Sequence, residues 1–249
     1  MDIYLKLYKR VRMAYDNIFK RYELKYIISA EQYRIIKSEM SEYMRADKYG
    51  ESDICNLYCD TPDFLLARRS NDKPFYKEKL RIRSYGVAKK DSDIFVEIKK
   101  KYDSVVYKRR ITADEITAVG LLDGTVSPTS QIGREIAYFS KLYKGIKPQM
   151  YISYRREAFY GRDDKDFRMT FDREILWRTD ELSLSSGIYG RRVLPEDQVL
   201  LEIKTAAAIP LWLVKILSAN KIYKTTFSKY GTAYMLMQKI NEQGEQKVA

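Results

Sequence analysis

Between Tyr76 and Tyr85 every second residue is a cation: Lys77, Lys79, Arg81 and Arg83, with Glu78, Leu80 and Ile82 between them. A pleated strand sends alternate side chains to opposite faces, so these four charges stand in one row, roughly 7 Å apart. They repel one another there, and a shared anion is the simplest compensation. The same phase recurs along the chain. Arg21, Glu23 and Lys25 share a face against Tyr22, Leu24 and Tyr26. So do Phe95, Glu97 and Lys99, then Val106, Lys108 and Arg110, then Ile152, Tyr154 and Arg156, then Arg168, Thr170 and Asp172, and finally Glu202 and Lys204. Fixed cations on strands suit phosphoryl transfer, which asks a protein for positioned positive charge and an aligned attacker more than for covalent chemistry. Arginine forks grip phosphate through two hydrogen bonds, and lysines act as point charges.

Composition narrows the chemistry. The 249-residue chain holds 46 Lys+Arg against 34 Asp+Glu, a formal charge of +12, and no histidine. Ser-His-Asp and Cys-His nucleophile systems, a histidine base and His-ligated zinc are therefore excluded. The basic excess points to a polyanionic partner without choosing among nucleic acid, membrane, nucleotide and inorganic phosphate. There is no P-loop Gly-x4-Gly-Lys-Ser/Thr and no Gly-rich dinucleotide fingerprint, so a nucleotide would be held by its phosphates more than by its base. With no RNA-recognition aromatic motif, a specific nucleic acid partner is not expected.

The rows must be positioned by strands, and the strands covered by helices. Strands are expected at Arg21–Tyr26, Asp53–Asp60, Tyr76–Tyr85, Asp93–Lys100, Val105–Ile111, Gln149–Phe159, Phe167–Leu176 and Val199–Thr205. The capping box Ser29-Ala-Glu-Gln32 opens a helix to about Arg45, and Thr61-Pro62 opens a short one through Arg69. Further helices are expected after Thr112-Ala-Asp-Glu115, from Ser130 to Tyr143, from Pro210 to about Ala219, and after Ser228, where Tyr234, Leu236, Met237 and Ile240 would pack inward. If the strands close on themselves, the apolar faces lie under helices and the ionic faces point into a lumen that would hold a phosphate chain. An open sheet with a solvated basic face fits the alternation equally well.

At 45% hydrophobic the chain can bury an ordinary core, and the absence of a repeat or a Pro/Gly-rich linker favours one α+β domain. No apolar run reaches the roughly 18–20 residues of a membrane helix; the richest, Ile209 to Leu217, carries Lys215. Cys55 and Cys59, four residues apart on a strand, read as packing thiols of a reducing cytosol. Charges scattered through Met1 to Arg12 leave no signal-peptide core. Met1 to Asn17 reads as a surface extension or a stretch upstream of a start at Met13, with an amphipathic docking helix as the alternative.

Seven motifs in order, Glu23-Leu-Lys25-Tyr, Leu80-Arg-Ile-Arg83, Val96-Glu-Ile-Lys99, Tyr154-Arg-Arg156-Glu-Ala-Phe159, Arg168-Met-Thr-Phe-Asp172, Leu201-Glu-Ile-Lys204 and Phe227-Ser-Lys-Tyr230, run from strand to strand with their charges in phase. Together they resemble the polyphosphate polymerase domain of the vacuolar transporter chaperone (VTC) complexes, within the CYTH-like, triphosphate tunnel metalloenzyme superfamily, over roughly Phe19 to Leu236. The resemblance implies a closed antiparallel eight-stranded β-tunnel with a basic interior and helices packed outside. It divides the chain into an extension at 1–18, one tunnel domain at 19–244 and a tail at 245–249. It further implies that Lys25, Arg81, Arg83, Lys99, Lys108, Arg156, Arg168, Lys204 and Lys229 line the tunnel, with Arg110 beside Lys108. Tyr154 and Ser228 would be neutral phosphate contacts. A divalent cation, Mn2+ or Mg2+, would sit at Glu202, with Glu23 and Glu97 as weaker ligands.

The function so implied is transfer of the ATP γ-phosphoryl group to a growing polyphosphate chain at a cytoplasmic site, with ATP and polyphosphate as partners and room for a membrane-protein partner. A terminal phosphate is already an anionic nucleophile, so no histidine base is needed. Hydrolytic relatives begin with Glu-x-Glu-x-Lys, and Arg21 stands where their first Glu would be. That weakens a hydrolase reading without removing it. A noncatalytic polyphosphate or inositol-phosphate module is the remaining alternative.

Overall fold

The in-phase alternation of the sequence becomes one nine-stranded antiparallel sheet in the computed structural model, which describes residues 22–72, 74–102, 105–206 and 208–245. The expected extension at 1–18, Arg21, and positions 246–249 of the expected tail lie outside the described residues. The strands are β1 (Tyr22–Ser29), β2 (Met44–Asp60), β3 (Tyr76–Tyr85), β4 (Ile94–Tyr102), β5 (Val105–Ala113), β6 (Lys147–Gly161), β7 (Arg168–Arg178), β8 (Arg191–Arg192) and β9 (Gln198–Thr205). Their order is β1-β9-β7-β6-β2-β3-β4-β5, with the short β8, which the sequence did not suggest, hung on β7.

Among the described residues six α-helices pack on the sheet: α1 (Ala30–Glu39), α2 (Leu65–Asn71), α3 (Glu115–Asp123), α4 (Gln131–Leu142), α5 (Leu211–Ala219) and α6 (Lys229–Glu245). Ser29 and Ser130 are real caps as the sequence indicates, whereas α3 is capped by Asp114 and not by Thr112, which lies in β5, and α2 begins only at Leu65, without a side-chain cap. Ser29 and Gln32 form the reciprocal capping box of α1, Asp114 accepts from the Thr117 N–H at α3, and Ser130 accepts from the Gly133 N–H at α4.

The outward faces of the strands are apolar. Cys55, Leu57, Leu80, Ile82, Val96 and Ile98 bury against Ala118, Leu121 and Leu122 of α3 and Ile136 and Phe139 of α4. Tyr26, Ile28, Phe171, Leu201 and Ile203 bury against Ile36 of α1 and Leu213, Ile216 and Leu217 of α5. Cys55 and Cys59 are buried free thiols within this packing, as expected. A third cluster lies on the inward face, where Ile54, Tyr58, Met150, Ile152 and Leu200 meet Tyr230, Ala233 and Tyr234 of α6. Tyr58 and Tyr230 stack with ring centroids 4.6 Å apart. Helix α6 therefore fills part of the interior, and the ionic side chains occupy the rest.

Two expectations need correction. The ladder is not closed: β1 and β5 are the two ends of its path and do not pair with each other. The free edge of β1 is taken instead by the segment leading into α6, where the Thr225 N–H donates to the Lys25 carbonyl at 2.8 Å. Side chains join the ends of the sheet, with Lys99 of β4 3.4 Å from Glu23 of β1 and Lys79 of β3 donating to Ser228 Oγ at 2.9 Å. The helix expected to reach Arg45 stops at Glu39; a 3₁₀ turn at Met40–Glu42 follows, and β2 begins at Met44. The polar stretch after Met44 has no strand alternation of its own and is extended by pairing with Phe159–Gly161 of β6. Among the described residues no helix is long and apolar enough to cross a membrane.

Asp60 fixes α6 to this frame. Its fully buried carboxylate accepts from the N–H groups of Thr61, Leu66 and Ala67 at 2.8, 2.8 and 2.9 Å and from the Tyr230 hydroxyl at 2.7 Å. Asp60→Ala leaves several buried donors without an acceptor and is expected to cost at least about 3 kcal/mol, against about 1 kcal/mol for Tyr230→Phe. Urea midpoints of the two variants measure the difference; equal losses would contradict this role for Asp60.

Candidate anion-binding site

The inward rows of β1, β3, β4, β5, β6, β7 and β9 converge with the first turn of α6 on a charged cluster of two linked knots. Register explains the convergence: Lys25 lies opposite Glu202, Arg156 opposite Asp172, and Arg81 opposite Glu97, each across a neighbouring strand. Arg156 grips Asp172 through two hydrogen bonds of 2.6 Å and reaches Glu202 at 3.2 Å. Lys229, delivered by α6, bridges Asp172 at 2.5 Å and Glu202 at 3.2 Å and sits 4.6 Å from the centre of the Tyr154 ring. Lys25 lies 3.1 Å from Glu23 and 3.3 Å from Glu202 and donates to the Phe227 carbonyl at 3.0 Å. Lys204 is half-buried beside this group.

A second knot surrounds Glu97. Arg81 donates to it at 2.6 Å, Arg83 stands 3.9 Å away, and Lys108 pairs with its other oxygen. Arg83 also donates to Asn56 at 2.8 Å and to the Tyr154 hydroxyl at 3.1 Å. Tyr154 thus joins the two knots. Ser228 caps the first turn of α6, accepting from the Gly231 N–H at 3.1 Å, and faces the Lys79 ammonium.

Burial raises the cost of every charge here, and the neighbours decide the outcome. For Glu202 burial pushes the pKa upward, but Lys229, Lys25, Arg156 and Lys204 pull it well below the ordinary range. Asp172 follows the same logic through Arg156 and Lys229, and Glu97 is brought to about 2 by Arg81, Arg83 and Lys108. Tyr154 is lowered despite its burial, because Arg83, Arg156 and Lys229 favour the phenolate. Lys79 moves the other way. Burial and then the cations Lys99, Lys25, Lys77 and Arg81 push it far down.

Most of the expected site residues meet in this cluster, and two do not. Arg168 is exposed at the rim, its Nε directed to the Lys165 carbonyl. Arg110 is exposed on β5 and stacks 5.0 Å from the Phe95 ring. Asp172, Asn56 and Lys79 belong to the cluster although they were not among the expected site residues. Asp172 keeps phase with Thr170 in the sequence, but its task follows only from the pairing of β7 with β6, which sets it opposite Arg156; Asn56 lies on a strand whose importance only its pairing with β3 reveals. A separate cavity of about 370 Å³ between Trp177, Tyr189 and Met237 shares none of these residues.

The carboxylates divide in the same way. Among the described residues Glu97 shares no basic partner with Glu202, whereas Glu23 and Glu202 converge on the Lys25 ammonium. Among the described residues no group of three acidic, histidine or cysteine side chains could form a metal cage. Two neighbouring carboxylates nevertheless fit a hard divalent cation of the magnesium type, which binds through one or two carboxylates and takes its remaining ligands from water and substrate phosphate.

The family model of the VTC domain matches residues 20–238. Among curated proteins none matches the sequence. Among solved structures, a candidate adenylate cyclase from Bacillus halodurans is similar in fold, with a TM-score of 0.53 and 15% identity, covering 83% of this chain and 92% of that one. A candidate adenylyl cyclase from Hippeastrum, described as having a dominant triphosphatase activity, gives a TM-score of 0.48 at 16% identity, covering 84% of this chain and 92% of that one.

Glu97 gives the cluster a pH signature. Its folded pKa of about 2 lies below the ordinary 4.5, so its stabilisation is complete above pH 4.5 and is lost as the pH falls from there toward 2. The loss is on the order of 3 kcal/mol. Glu97→Gln is expected to flatten this part of the stability–pH curve and to lower stability at pH 7, where Arg81, Arg83 and Lys108 lose their counter-ion. Denaturant titrations at several pH values test it; an unchanged acid limb would contradict the assignment.

Proposed function

The chain belongs to the VTC domain family, and on that premise we propose that it transfers the γ-phosphoryl group of ATP to the end of a growing inorganic polyphosphate chain. One observation carries this reading: cations from six strands and a helix start converge inside the sheet and outnumber the carboxylates Glu23, Glu97, Asp172 and Glu202 among them. A linear polyanion supplies the missing negative charge.

In this reading Arg81, Arg83 and Arg156 grip phosphate oxygens by their forks, while Lys25, Lys99, Lys108, Lys204 and Lys229 neutralise charge as it shifts from the γ-phosphoryl group to the departing ADP. The carboxylates hold these cations in place before substrate arrives, so little reorganisation is needed during transfer. An oxygen of the terminal chain phosphate forms the new bond to the γ-phosphorus, the bond to the β-phosphate oxygen breaks, and ADP leaves with that electron pair. The attacking oxygen is already ionised and needs no base. Tyr154 and Ser228 donate neutral hydrogen bonds. Glu202 and Glu23 would hold Mn2+ or Mg2+, which supplies further neutralisation of the triphosphate when bound. Arg168 and Arg110, at the periphery, have no part in the transfer.

Incubation with ATP and either metal is expected to yield long-chain product on a gel, and Arg83→Ala to reduce the rate about a hundredfold. Phosphate release without chain growth would favour a triphosphatase, and binding without turnover a noncatalytic module; either result overturns the polymerase reading.

A further inference from the structure

The arginine forks of the interior are held in two different ways. Arg156 is clamped by the Asp172 carboxylate and Arg81 by that of Glu97, each through bonds of 2.6 Å. Arg83 is buried too, but among the described residues it hydrogen-bonds only to neutral groups. Its Nε donates to Asn56 Oδ1 at 2.8 Å and its Nη2 to the Tyr154 hydroxyl at 3.1 Å. The Glu97 oxygen that stands 3.9 Å from Arg83 is already engaged by Arg81. Register places Asn56 for this contact. It lies opposite Arg83 on β3 and opposite Ile152 on β6, in an inward row whose other members, Ile54 and Tyr58, belong to the apolar core. Its amide nitrogen donates to the Ile152 carbonyl at 2.8 Å, which turns Oδ1 toward Arg83, and full burial keeps the side chain from swinging to solvent.

A carboxamide buried in an apolar row is unfavourable unless both its ends are paired, and here the pairing serves one cation. An amide accepts from a guanidinium without cancelling its charge, whereas a carboxylate in the same place would hold Arg83 and neutralise it together. With Nε committed to Asn56 and one N–H of Nη2 to Tyr154, the other N–H groups of the fork have no hydrogen-bond partner among the described residues. We propose that Asn56 is a positioning residue for phosphate: its neutral carboxamide aims the Arg83 fork and leaves the charge of that cation for a phosphate oxygen of the substrate. The proposal rests on the reading of the charged cluster as a polyphosphate site and deepens it, because Asn56 acts on the substrate through Arg83 and not by touching it.

Equilibrium binding of inorganic tripolyphosphate to the full chain tests this in a double-mutant cycle of Asn56→Leu and Arg83→Ala, with melting temperatures read alongside. Asn56→Leu is expected to weaken binding about tenfold by itself and less than about twofold once Arg83→Ala is present. Asn56→Asp keeps an acceptor for Arg83 and adds charge; it is expected to weaken binding about tenfold or more and to make it less sensitive to salt. A role in folding alone would lower the melting temperature and move neither the salt dependence nor the coupling to Arg83. The full loss from Asn56→Leu in the Arg83→Ala background overturns the positioning role and leaves the polyphosphate reading intact. So does binding by Asn56→Asp that matches the unaltered protein in strength and salt dependence, and this variant decides the matter if Asn56→Leu does not fold. Failure of the unaltered protein to bind tripolyphosphate would remove the polyphosphate reading and the role of Asn56 with it.

Discussion

Inward-facing like charge is the constraint on which the rest of the structure depends. Lysine and arginine side chains driven onto one concave surface repel one another and lose hydration, and the fold tolerates them because Glu97, Asp172 and Glu202 are buried among them as counter-ions. Each carboxylate serves more than one cation. Glu202 alone meets Lys25, Arg156 and Lys229, which come from β1, β6 and α6. The ionic network therefore fixes how distant parts of the chain sit around the cavity, while the apolar clusters outside hold the sheet in its curve.

The compensation stops short of neutrality, and the shortfall has a direction. Around Glu97, Asp172 and Glu202 the cations have carboxylate partners, whereas toward the exposed end of β3 and β4 Lys77, Lys79 and Lys101 meet none among the described residues. A surface neutralised throughout would have no electrostatic need of a ligand, and one without carboxylates would lose the geometry of its forks. The observed mixture keeps Arg81 and Arg156 aimed while leaving charge for a polyanion to satisfy.

Much of this was legible in the sequence because the strand period is two and the charges keep phase with it. The faces of β3, β4 and β9 follow directly from Lys77 to Arg83, Phe95 to Lys99, and Glu202 with Lys204, and the caps at Ser29 and Ser130 from their hydrogen-bonding side chains. What local pattern could not supply is partnership. The extension of β2 back to Met44 exists only because β6 pairs with it. The roles of Asn56 and Asp172 depend on which strands become neighbours, and Arg168 shows the converse, a cation in correct phase that lies beyond the enclosed part of the surface. The open ladder has the same origin, since nothing in β1 or β5 foretells that Thr225 will occupy the β1 edge.

That late segment bears on biosynthesis. Among the described residues every strand precedes Lys229, so a ribosome has made all nine before this second cation shared by Asp172 and Glu202 can arrive. A message broken upstream of that codon would yield a polypeptide in which Asp172 and Glu202 keep Arg156 but lack the second cation that they share. The inward face would then be completed only when α6 docks, bringing Lys229 to the two carboxylates and Tyr230 to Asp60 in one event.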